Sequence, residues 1–165
     1  MGEVITVLTS ATGHALVKSF SGEDITPQPF STGSLFNVSE EPVSDLQSLS
    51  ALLQRLENDP THTVIRGSLT DDQSSPVPRK MEYFTATPRQ WCMIDIDSLS
   101  WDGDLSDQRA MVSYAIQQLP AEFQSADCWY HLSSSMGIKD GVNVHLWFWL
   151  ERTCSDNELK TWLPG

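Results

Sequence analysis

The sequence predicts an α+β protein whose second half is organised as a split β-α-β unit, and three observations lead there. Segments rich in Val, Ile and aromatic residues alternate with segments whose apolar residues recur at helical spacing. After residue 90 the elements run strand, helix, strand, strand, helix, which is five-sixths of a β-α-β-β-α-β unit; the chain ends at Pro164-Gly165, where a sixth element is expected. The 165 residues are 39% hydrophobic and 19% charged, with 9 Gly and 9 Pro, enough apolar material for one core. One domain over 1–165 is therefore expected, with an α/β portion at 1–90 and the split unit at 91–165. No apolar run reaches the roughly 20 residues of a membrane-spanning helix, and the first ten residues lack the basic start and cleavage site of a secretory signal. A soluble, cytoplasmic protein with no membrane partner is expected.

The elements follow in order. Val4 to Ser10 reads as a strand from its Val, Ile and Thr content. Residues 21–42 carry Gly22, Pro27, Pro29, Gly33 and Pro42, which favours loop. Ser44 is expected to open a helix, with Gln47 as its capping-box partner and Leu46, Leu49, Leu53 and Leu56 on one face; Asn58, Asp59 and Pro60 stop it. Residues 62–66 read as a strand closed by Gly67, and 68–78 as a polar loop. Residues 91–96 form the next strand. Ser106 caps a helix with Met111, Tyr114, Ala115 and Gln118 on one face, ended by Pro120. Strands at 128–133 and 143–150 follow, and Ser155 with Glu158 forms a capping box for a last helix through Leu163.

Twenty-two acids against ten bases give a net charge of −12, which argues against broad, charge-driven binding of duplex nucleic acid. The bases are uneven, however. Arg66, Arg79, Lys80 and Arg89 meet only Asp71, Asp72 and Glu82 between residues 66 and 89, a stretch that reads either as an ordinary solvated loop or as a phosphate-facing patch. Cys92, Cys128 and Cys154 are odd in number and widely spaced, so reduced thiols and no structural zinc are expected.

Chemistry concentrates in the second half. In Met93-Ile94-Asp95-Ile96-Asp97 the strand alternation puts both carboxylates on one face, about 7 Å apart, with Ile94 and Ile96 turned to the core. Two such carboxylates repel unless a cation lies between them, and hard oxygen donors suit Mg2+ or Mn2+; the plainer reading is a strand end whose acids face water. In a split β-α-β sheet the third strand lies between the first and second, antiparallel to both, so 91–96 and 143–150 should be neighbours. His145, sharing a face with Asn143, would then meet the aspartates, although a hydrogen-bonded core histidine is equally consistent with that strand. The preceding loop, 133–141, offers Ser135, Gly137 and Lys139 as backbone donors and a point charge for a phosphate, or serves as a flexible connection. His131 reads as structural.

The hydrophobic-Asp-hydrophobic-Asp motif, followed by a small-polar-x-His strand after a Ser/Gly loop, resembles the archaeo-eukaryotic primase (AEP) superfamily. It is most similar to the primase-polymerase domains of phage, plasmid and integrative-element replication proteins, and Val64-Ile65-Arg66-Gly67 resembles segments preceding the aspartate motif there. The likeness covers most of the chain from Val43 onward. It implies an RRM-like catalytic core and a template-directed nucleotidyltransferase, a DNA primase/polymerase with a two-metal mechanism, working in a prokaryotic or phage-infected cytoplasm. By the resemblance, Asp95 and Asp97 hold Mg2+ or Mn2+ and His145 contacts the phosphates of the incoming nucleotide. Ser135, Gly137, Lys139, Asn143 and Arg66 are nucleotide-binding candidates on the same basis. Nucleoside triphosphates, a single-stranded DNA template and a helicase domain or subunit are the implied partners. Two features depart from the family pattern. Asn143 stands where serine is usual, and the family's third acid, on a strand after the second helix, has no match among Glu151, Asp156 and Glu158. A fragment of a longer primase-helicase, with the final strand missing, is the expectation. The alternatives are a catalytically inactive replication adaptor or an acidic nucleic-acid mimic; a D-x-D glycosyltransferase fits the chain length less well.

Overall fold

The computed structural model describes residues 2–16, 19–21, 24–28 and 35–163. Its strands are β1 (Val4–Ser10), β2 (Ser19–Ser21), β3 (Asp24–Gln28), β4 (Leu35–Pro42), β5 (His62–Ile65), β6 (Ser68–Leu69), β7 (Val77–Pro78), β8 (Phe84–Thr85), β9 (Arg89–Leu99), β10 (Cys128–Leu132) and β11 (Val142–Cys154). The helices are α1 (Leu46–Glu57) between β4 and β5, α2 (Gln108–Gln117) and α3 (Ala121–Gln124) between β9 and β10, and α4 (Asp156–Trp162) after β11. The fold is mixed α+β with antiparallel pairing throughout: β5-β1-β4-β7 in one sheet, β10-β11-β9 in another, and two small two-stranded pairs. Among the described residues no helix is long and apolar enough to cross a membrane.

The central strand β11 carries large apolar residues on both faces because both are covered. Val142, Val144, Leu146, Phe148 and Leu150 face one core with Met111, Val112 and Ala115 of α2 and Phe123 of α3; Ile94 and Ile96 of β9 pack against the same cluster. On the opposite face Trp91 and Trp147, ring centroids 5.6 Å apart, lie under Ile5 of β1 and Leu49, Leu52 and Leu53 of α1. The Trp91 indole nitrogen donates to the Val4 carbonyl at 3.0 Å, so this large ring is buried with its polar atom satisfied. The second cluster joins residues from both sides of position 90.

Several boundaries differ from those the sequence suggests. Leu35–Pro42 is a strand rather than loop: it pairs along the whole of β1 and leaves one polar face outward, which hides its apolar pattern. Ser19–Ser21 and Asp24–Gln28 also pair, and the rest of that expected loop, with Gly22, Pro29 and Gly33, lies outside the described residues, as do Pro164 and Gly165. The α1 cap is Asp45, whose carboxylate accepts from the Ser48 N–H at 2.7 Å, one residue past Ser44 and Gln47. Asp107 likewise replaces Ser106 as the α2 cap, and α2 buries Val112 beside Met111 and Ala115, with Gln118 as its C-cap. The α4 box is as expected, Ser155 with Glu158. Strand β11 runs on to Cys154, through an exposed Glu151-Arg152-Thr153 stretch, and Cys154 stands opposite Arg89.

Candidate functional site

The sheet order β10-β11-β9 makes Asp95 and His145 direct cross-strand partners. Side chains opposite one another on an antiparallel pair sit about 5 Å apart at Cβ. Here His145 Nε2 lies 3.3 Å from Asp95 Oδ1, with the imidazole 30% and the carboxylate 52% exposed. Along β9 from Met93 to Asp97 the exposed positions are Met93, Asp95 and Asp97, alternating with half-buried Ile94 and Ile96, so both carboxylates share the face that carries His145. That face is divided along its length. Trp91 is 1% exposed beneath α1 and β1, whereas Met93 is 38% exposed, so the cover ends just before the aspartates.

A bulge shapes the far end. Ile96 faces Val144 and Leu99 faces Val142, so Asp97 and Ser98 together stand opposite Asn143, and Ser98 takes a left-handed backbone with φ of 55°. Bulges of this kind re-aim the strand beside them. Asn143 holds it in place: its Oδ1 accepts from the Ser98 N–H at 2.9 Å and its Nδ2 donates to the Gly141 carbonyl at 3.1 Å. Alternation with Val142, Val144 and Leu146 keeps Asn143 on the His145 side of β11, as the sequence suggests, but its side chain is fully buried, and the bulge and the end of loop 133–141 consume its hydrogen bonds.

Loop 133–141 lies at the same end of the sheet as Asp97. Gly137 and Gly141 both take φ of +78°, and a Cβ on Gly141 would run into the Leu99 carbonyl, so glycine is required where the loop meets the β9 end. The Ser135 hydroxyl is buried 3.0 Å from that of Ser133, and its carbonyl accepts from the Lys139 N–H at 2.9 Å, which closes the loop on itself. Gly137, Lys139 and Asp140 face Ser98, Trp101 and Asp102 across a groove of 560 Å³. Gly137 and Lys139 thus border an open groove lined by Ser98, the residue after Asp97, while Ser135 is buried.

Arg66 is elsewhere. Its terminal nitrogens donate to the backbone carbonyls of Trp91 and, at 2.6 Å, of Cys154; its guanidinium stacks 5.4 Å from the Trp91 ring centroid. Nε lies 2.9 Å from the Asp156 carboxylate without hydrogen-bond alignment, a purely coulombic contact. Arg66 therefore ties β5 to β9, β11 and α4 as an internal clamp, with its guanidinium engaged within the chain. Arg89, of the same basic stretch, is 5% exposed and donates to the Arg66 carbonyl and the hydroxyls of Thr6 and Ser68. Neither arginine forms a free phosphate-facing patch. Of the acids after His145, Asp156 faces Arg66, and Glu158 caps α4 and pairs with Arg152 at 2.9 Å.

The sequence reading also missed two groups. His131 stands directly opposite His145, with ring centroids 5.8 Å apart, and Glu57 Oε1 at the end of α1 lies 3.5 Å from His131 Nε2. Burial, against the opposing pull of Glu57 and with some help from His145, holds the His131 pKa below the ordinary imidazole range. The signal was present in phase: Trp129 and His131 alternate as His145 and Trp147 do, and antiparallel register brings the two patterns together. Among the described residues no three His, Cys, Asp or Glu side chains converge as a ready-made metal site. No family model matches the chain, and no curated protein or solved structure is detectably similar to it.

Proposed function

We propose that this chain is the nucleotidyl-transfer core of a primase-polymerase related to the archaeo-eukaryotic primase superfamily, and that β9-α2-β10-β11-α4 corresponds to the first five elements of its RRM-like core. The observation that carries this reading is the pairing of His145 with Asp95, on an uncovered sheet face that also bears Asp97. The donor set suits the implied ion. Mg2+ is commonly bound through one or two carboxylates plus substrate phosphates rather than by an all-protein cage, and Asp95 and Asp97 offer two hard oxygen donors on one face. Bound there with a nucleoside triphosphate, Mg2+ or Mn2+ would supply activation of the attacking hydroxyl and charge neutralisation of the leaving pyrophosphate. The chain's own residues bind and orient. His145 can offer an N–H to a phosphate oxygen from one ring nitrogen when neutral and from both as the cation. Gly137 and Lys139 border the groove through which the triphosphate or template would reach Asp97. The charge of −12 leaves duplex grip to a partner such as a helicase domain or subunit, with single-stranded DNA as template.

The test is template-directed primer synthesis and extension by the full protein with Mn2+ and nucleoside triphosphates. Activity should fall by orders of magnitude in the Asp95→Ala, Asp97→Ala double variant; activity that survives it contradicts the proposal. The same ion should raise the melting temperature of the native chain by linkage, whereas an acidic mimic or inactive adaptor would show no effect dependent on those carboxylates.

A further inference from the structure

His145 is flanked on both sides, and only one flank belongs to the proposed chemistry. Asp95 stands on the β9 side. On the β10 side the His131 ring faces it at 5.8 Å with an interplanar angle of 34°. His131 is in turn fixed from two directions: Trp129 stacks on it at 6.1 Å with the rings 6° from parallel, and Glu57 Oε1 meets its Nε2. Trp129 belongs to the aromatic cluster under α1, so the wall beside His145 is anchored in the core.

We propose that His131, braced by Trp129 and Glu57, is a positioning residue that sets the ring orientation of His145 toward a nucleoside triphosphate. This rests on the nucleotide-binding reading above. An imidazole on a sheet face has several staggered orientations open to it, and each one removed before the ligand arrives is ordering that binding no longer costs. Packing by His131 on one side and the Asp95 carboxylate on the other confines the ring to the space between them. Burial keeps His131 below the ordinary imidazole range, so near neutral pH it is an uncharged ring rather than a second cationic phosphate contact. Glu57, at the last turn of α1, extends the brace to the helix that covers the other half of the same face.

The experiment combines calorimetric titration of Mn2+-loaded dATP with NMR detection of the His145 ring, on the full chain and on His145→Ala, His131→Ala, His131→Phe, Glu57→Gln and the His131→Ala, His145→Ala pair. Loss of His145 should weaken dATP by about tenfold or more; His131→Ala should weaken it severalfold, and the double variant should be no weaker than His145→Ala alone, the non-additivity of residues acting as one unit. His131→Phe restores a flat wall and should recover most of the affinity. The His145 ring signals should shift or broaden in His131→Ala, partly so in Glu57→Gln, and return in His131→Phe. Unchanged affinity and ring signals in His131→Ala, alongside weakened binding in His145→Ala, overturn the positioning role and leave the proposed function standing. A chain that does not bind dATP, or binds it as well without His145, overturns the proposed function; the ring signals then decide the packing claim alone, and their indifference to His131→Ala sinks it.

Discussion

Arg66→Ala separates the structural account of this arginine from the one its sequence context invites. In the folded chain its terminal nitrogens serve the Trp91 and Cys154 carbonyls, and its guanidinium covers the Trp91 ring. Hydrogen bonds from a charged donor contribute about 1.5–3 kcal/mol each, and truncation leaves the acceptors without that partner. A cation–π contact adds about 0.5–1 kcal/mol. Because the side chain is 16% exposed, water can serve part of what is lost. The expected destabilisation is therefore about 3–5 kcal/mol, toward the lower end of that sum. At about 2–4 °C per kcal/mol for a domain of this length, the melting temperature should fall by roughly 10 °C. The assay is urea and thermal denaturation followed by circular dichroism, paired with dATP titration well below the transition. A large stability loss with dATP affinity changed less than about twofold is expected. Stability unchanged while dATP affinity collapses would refute the clamp and return Arg66 to the ligand.

Three further outcomes follow from the same geometry. Gly141→Ala must accept a left-handed backbone, which alone costs about 1–2 kcal/mol, and it also strikes the Leu99 carbonyl; its urea midpoint should drop clearly, and an unchanged midpoint contradicts the loop geometry. Glu158 is held at a pKa of about 2, below its ordinary 4.5, first by the Ser155 backbone N–H and then by Arg152 and the Ser155 hydroxyl. A carboxyl so depressed supports folding above its unfolded pKa and loses that support as pH falls from 4.5 toward 2, so the melting-temperature gap between native chain and Glu158→Gln should be widest above 4.5 and close below it. A gap independent of pH would contradict the cap. Burial pushes the Cys92 thiol up to about 12 and raises Cys128 as well, so peptide-resolved thiol labelling should be slow in the native chain, slowest at Cys92, and fast in urea; native labelling of Cys92 at the unfolded rate would contradict its burial.

The elements that position the site were legible because their patterns reflect what covers them. Ile94 and Ile96 alternate with Asp95 and Asp97 because one face of β9 packs on α2 and the other opens to solvent, and element order alone made β11 its neighbour. Strand β4 was hidden because a strand with Asn37, Ser39 and Glu41 on its outward face and Glu40 exposed on the other resembles a polar loop. The caps slipped by one residue because adjacent Ser and Asp compete for the same role on near-equal terms, and Asp45 and Asp107 take it. The internal contacts of Arg66 and Asn143 were not legible for a different reason. Arg66 reaches Cys154, 88 residues away, and Asn143 reaches Ser98 across a bulge, and no local pattern announces either contact. His131 was legible in retrospect from its phase on β10, but its importance depends on the register that places it opposite His145.

The central claim is that Asp95, Asp97 and His145 form one binding face for a metal-loaded nucleoside triphosphate, and the direct measurement is calorimetric titration of dATP in Mn2+ against the native chain, the Asp95→Asn, Asp97→Asn variant and His145→Ala. The account predicts saturable, Mn2+-dependent binding to the native chain, abolished without the carboxylates and weakened about tenfold or more without the imidazole. Binding of equal strength in all three proteins, or none in the native chain, would contradict it.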